Sequence, residues 1–100
     1  MSVQIIENWS DVVGKVEEIS PSPHMTGFSA VEMLVEQVNE VTGFANLLDH
    51  AIGKKIVVYF PDDRVESLDV AAGRVISCRV RRASLTMNFV HREHISVLKA

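Results

Sequence analysis

Apolar and polar residues alternate along residues 73–84. Ile76, Cys78 and Val80 fall on one face, and Val75, Ser77, Arg79 and Arg81 on the other. A period of two is the mark of a half-buried β-strand, so this stretch predicts a strand with an Ile-Cys-Val inner face and a basic outer one. Residues 54–60, KKIVVYF, predict another strand, terminated by Pro61, Asp62 and Asp63. Residues 11–20 predict a first strand with Val13, Val16 and Ile19 as its apolar members. Gly14 interrupts it, as a glycine does at a bulge or a barrel corner. Pro21 and Pro23 end it, because proline lacks the amide donor and restricts the residue before it. Residues 88–98 form the last strand, with Ile95, Val97 and either Phe89 or Val90 inward, depending on a bulge near His91.

Residues 28–41 fit two patterns. As a helix, Val31, Leu34, Val35, Val38 and Val41 line one face, and Ser29 with Glu32 makes a capping box. As a strand, the segment suits its four valines, whose branched side chains favour extended backbone. It also supplies the fifth strand that a small filled barrel requires. The strand is the expected form; a helix at 30–41 beside an Sm/SH3-like sheet is the alternative. Residues 44–52 predict a short helix or 3₁₀ turn with Phe44, Leu47, Leu48 and Ile52 inward and Gly53 after it. Residues 64–72 link two strands, with one turn of helix allowed, and residues 3–9 form a short apolar opening, either a strand or a loose arm packing Ile5, Ile6 and Trp9. The expected fold is mainly β: one five-stranded barrel domain over residues 1–100 with a short helix.

At 100 residues and 47% hydrophobic, the chain can build one core. No apolar run approaches the length of a membrane span, and the first residues lack the pattern of a secretory signal. The lone cysteine, Cys78, sits on the apolar face of its strand and reads as a buried thiol in a reduced, cytoplasmic protein. The net charge of −3 conceals a polarity. Residues 1–53 carry one basic residue, Lys15, against eight acidic ones; residues 54–100 carry nine basic and five acidic. Four of the six arginines, Arg74, Arg79, Arg81 and Arg82, lie in or beside the alternating strand. Their partners are either the acidic half, Glu32, Glu36 and Glu40 foremost, or an external ligand.

The order of elements resembles an OB-fold barrel. The residues that carry the likeness are Gly14-Lys15-Val16, the run from Gly53 to Val58, and the run from Gly73 to Arg82. The helix usual between the third and fourth OB strands is largely missing, since only residues 64–72 are available. The second half is also similar to Sm-like domains, through GKKIVVYFPDD and the terminal NFVHREHISVL. There Glu93 stands where that family's motif would place a histidine, and the distance from Gly73 to Asn88 is too long for the Sm core motif. Either resemblance implies a binding module, and the Sm-like one implies RNA.

No catalytic constellation is visible, and no enzyme activity, cofactor or metal is expected. His24, His50, Ser77 and Ser84 lack the neighbours of a nucleophile and base. His91 and His94 are three apart, which on a regular strand directs them to opposite faces and prevents a shared ion. The candidate ligand or nucleic-acid-binding residues are Lys55, Arg74, Arg79, Arg81, Arg82 and Arg92, with Tyr59, Phe28 and Phe89 as stacking platforms. A sequence pI near 5.7 is far from the usual nucleic-acid footprint. Val57 and Val75, expected to be exposed on their strands, suggest a contact surface instead. The leading expectation is therefore a non-catalytic module for protein interaction or self-assembly. Single-stranded nucleic-acid binding is the alternative.

Overall fold

The computed structural model describes residues 7–99; the expected packing of Ile5 and Ile6 lies outside them. Five strands close a barrel in the order β1-β2-β3-β5-β4: β1 (Ser10–Pro21), β2 (Phe28–Glu40), β3 (Lys55–Pro61), β4 (Val75–Arg82) and β5 (Asn88–Lys99). A 3₁₀ turn, Asp49–Ala51, precedes β3, and a short helix, α1 (Asp62–Ser67), joins β3 to β4. The fold is mainly β, as the alternation predicts. Residues 28–40 are a strand, so the helical reading of that segment is overturned. Val31, Met33 and Val35 alternate into the core, while Glu32 and Leu34 face outward. Ser29, the expected helix cap, instead donates its hydroxyl hydrogen to Asp62 Oδ1 at 2.5 Å.

Val12 and Val16 of β1, Val58 and Phe60 of β3, and Ile76, Cys78 and Val80 of β4 complete the buried centre. The expected inward set of β1 needs correction, because Val12 rather than Val13 is fully enclosed. Two register shifts explain the irregular spacing: Val13 opposes Gln37 but Gly14 opposes Val35, and Val16 opposes Met33 but Glu18 opposes Glu32. The second offset returns Ile19 to the core side opposite Val31. Gly14 sits at the first shift, where a Cβ would stand 2.8 Å from the Leu34 carbonyl oxygen. Glycine is needed there for closeness of backbone, not for unusual dihedrals.

Two expectations for residues 44–52 fail. Leu48 is buried, but Ile52 is 55% exposed and Phe44 also faces solvent. The helical part shrinks to three residues, too short to turn a continuous apolar face inward. Helix α1 begins at Asp62, ahead of the segment expected to carry it, directly after Pro61. Asp62 and Asp63 lie in its first turn, where carboxylates complement the exposed amides.

Closure is uneven. The pairs β1–β2, β1–β4, β2–β3 and β4–β5 are antiparallel and long, whereas β3 meets β5 in parallel through only Val58 opposite Asn88 and Tyr59 opposite Phe89.

Candidate binding surface

The six basic candidates do not form one patch. Arg74 and Arg82 bracket β4, some 26 Å apart at the usual strand rise. Arg74 donates to Asp69 at 2.7 Å, Arg92 to Asp63, and Lys55 stands 4.0 Å from Glu32. Arg79 makes a two-pronged contact with Asp11, at 2.9 and 3.2 Å, across β1 and β4. The acidic half does supply a partner for the arginine strand, but it is Asp11. Of Glu32, Glu36 and Glu40, none pairs with Arg79. Hydrogen bonding from Arg92 holds the Asp63 carboxyl below its ordinary value, and the bond to Asp11 raises the Arg79 guanidinium.

Arg82 is a structural clamp. Its guanidinium donates to the carbonyls of Leu47, Ser84 and Leu85 and to His50 Nε2. Since arginine has no acceptor, that His50 nitrogen is the accepting one. The backbone of Arg82 is held as well: its N–H donates to Asn8 Oδ1 at 2.8 Å, and its carbonyl accepts from Asn8 Nδ2 at 2.9 Å. Together these contacts bind residues 47–50 to the β4–β5 turn.

Arg81 alone of the six has neither an ion pair nor a side-chain hydrogen bond among the described residues. It lies in a lateral row on the outer face, Ala30–Tyr59–Phe89–Arg81, contributed by β2, β3, β5 and β4. The three aromatic candidates meet there: Tyr59 and Phe89 centroids are 5.6 Å apart, and Phe28 meets Phe89 edge-on at 6.3 Å. Tyr59, however, is only 7% exposed, so its ring face is already covered.

The β4–β5 register jumps, from Cys78 opposite Ile95 to Val80 opposite Val90. Val90, Ile95 and Val97 all pack on the core, which settles the inward set around the expected bulge. This bulge corrects the reading of the histidines. Residues 91–94 leave the regular alternation, and the His91 and His94 rings touch edge to face with centroids 4.5 Å apart. Trp9 packs beside His91 at 5.2 Å. Even so, no three His, Cys, Asp or Glu side chains converge into a metal site among the described residues. Cys78 is fully enclosed, and burial pushes its thiol up to about 12.

A second surface was not visible in the sequence. Between the 3₁₀ turn, the start of β3 and the β4–β5 turn runs a groove of about 290 Å³. Leu48, Ile56 and Val57 form its apolar wall, with Lys55 and Arg82 alongside. Leu85, at the tip of the turn, is 86% exposed at its rim. Val57 and Val75, expected to be exposed, are half-buried; Val57 is a groove wall rather than a free surface residue. The only hints in the sequence were an aliphatic residue in a turn and an asparagine opening a strand. Neither indicates that the two meet. No protein-family model matches the chain, and no curated protein sequence does. No helix among the described residues is long and apolar enough to cross a membrane.

Proposed function

We propose that this chain is a non-catalytic protein-interaction or assembly module built on an OB-fold-like barrel. The strand order β1-β2-β3-β5-β4 and a helix between β3 and β4 support the fold likeness. One observation carries the functional reading: exposed apolar side chains gather on two segments that Arg82 ties together. Phe44 and Ile52 belong to the segment before β3, and Leu85 to the β4–β5 turn. Large exposed apolar residues in adjoining loops mark a contact surface more than a solvated end. A cytoplasmic setting, expected from the single unpaired cysteine, suits such a role.

The alternative, single-stranded nucleic-acid binding, rests on Arg81 beside Phe89. It has one unpaired arginine where a phosphate track needs several, and its central ring is covered. The test combines affinity capture from the native host with light scattering of the purified chain. A specific partner or a defined oligomer that Leu85→Asp abolishes supports the module. A clean monomer that captures nothing, yet binds labelled single-stranded DNA or RNA at low salt, overturns it.

A further inference from the structure

The groove beside β3 has the properties of an unfinished sheet. From Lys55 to Val57, β3 is paired with Leu34 to Glu32 of β2 on one side. On the other, β5 joins only from Val58 onward, and the Asn88 side-chain amide takes the place of a strand, donating to the Val57 carbonyl at 3.0 Å. Alternation along a strand then turns the Lys55 N–H and C=O and the Val57 N–H toward the same open side. Asn88 is 6% exposed and lines this groove, so its side chain marks where the β5 ladder stops. The edge of β3 therefore offers two N–H donors and one carbonyl to an incoming strand.

We infer that this groove binds an extended acidic segment of a partner protein, which adds as a strand along Lys55 to Val57. The inference rests on the interaction-module reading and names its site and ligand class. The groove's chemistry selects the occupant. Among the described residues it carries two cations, Lys55 and Arg82, and no carboxylate, in a chain of net charge −3. Lys55 is free to exchange partners, since its contact with Glu32 is at 4.0 Å and well exposed. Among the described residues no Phe, Tyr or Trp lines the groove, and its one aromatic ring, His50, is tied to Arg82, so it lacks the row of platforms that a nucleic-acid strand stacks on. A second copy would have to present its own β3 edge, which brings the same cations, Lys55 and Arg82, against each other. Leu85 at the rim covers an aliphatic side chain of the incoming strand, the usual division between backbone affinity and side-chain selectivity.

The test is a ¹⁵N amide shift map of the full chain with a short acetylated peptide alternating valine and glutamate. Its lysine counterpart and an oligothymidylate serve as controls. The expected result is a response confined to residues 55–57 and 85–88 for the acidic peptide alone. Leu85→Asp, at an exposed position, should weaken binding roughly tenfold or more by placing like charge against the ligand. Lys55→Pro, which removes the outward N–H together with the Lys55 cation, should do so too without unfolding the chain. Absence of shifts at 55–57, or equal response to the lysine peptide or the oligonucleotide, overturns the inference. So does concentration-dependent dimerisation through these residues. If a captured partner survives both substitutions, the module reading stands and the groove assignment falls; if no partner or oligomer is found, both fall.

Discussion

Gly14→Ala tests the barrel wall at its tightest point. A Cβ there would lie 2.8 Å from the Leu34 carbonyl oxygen and 3.0 Å from Met33 Cε. The methionine can move, but the carbonyl belongs to the β1–β2 ladder. Carbon and carbonyl oxygen ordinarily approach no closer than about 3.3 Å, so the strands must separate by about half an ångström. Such overpacking costs roughly 1–3 kcal/mol. The loss of chain freedom in the unfolded state returns about 0.4–1 kcal/mol. The net destabilisation is about 1–2 kcal/mol, a fall in melting temperature of about 5–15 °C for a domain of this size. Circular dichroism melts and urea titrations measure it. Gly43 is the control, because its φ is +89° and nothing lies within 4 Å of an added Cβ. There alanine costs about 1–2 kcal/mol through backbone conformation alone, and asparagine, which tolerates that region, should recover part of the loss. At Gly14 asparagine should be worse than alanine. If Gly14→Ala melts at or above the parent temperature, or asparagine rescues it, the steric account is wrong.

The core and the ion pairs lead to further outcomes. Phe60 is fully enclosed, so Phe60→Ala should lose about 3–5 kcal/mol in urea denaturation, and a loss under about 1 kcal/mol would show that the centre is misplaced. The Cys78 thiol, raised by burial and then by the nearby Asp11 charge, should resist a thiol reagent at pH 8 until the chain unfolds; rapid stoichiometric labelling of the native protein would contradict its enclosure. Asp63 is held below 3.8, first by its hydrogen bond from Arg92. Its contribution is therefore present above the unfolded value and disappears as pH falls through the folded one. Asp63→Asn should accordingly lower stability slightly at neutral pH, and the gap to the parent should close in acid; a gap that widens there would reverse the sign of the argument.

The strands were legible because their inner faces follow a strict period of two, most clearly at Ile76, Cys78 and Val80. The valines of β2 outweighed its helical spacing for the same reason: branched side chains pack well on a pleated surface. Where the register slips, the pattern misled. The residue skipped at Glu17 brings Ile19 to the inner face out of step with Val12 and Val16, which masked the alternation that leaves Val13 outside, and the bulge at 91–94 hid the contact between the two histidines. Ion pairs were beyond a linear reading. Arg79 and Asp11 are 68 positions apart and meet only because β1 closes on β4. The groove is further removed still, since it arises from pairing that stops short, and no local residue pattern encodes where a ladder ends.

That short pairing also bears on how the chain reaches its fold. β1, β2 and β3 are consecutive antiparallel neighbours, and β4 with β5 forms a hairpin, so both pieces can assemble from nearby residues. Joining β3 to β5 closes a loop of about thirty residues for two residue pairs, a poor exchange of chain entropy for contacts. The seam should be the last ladder to form and the first to open. Amide exchange at Tyr59 and Phe89 should then run ahead of exchange at Val31 and Val12, at denaturant levels too low to melt either hairpin.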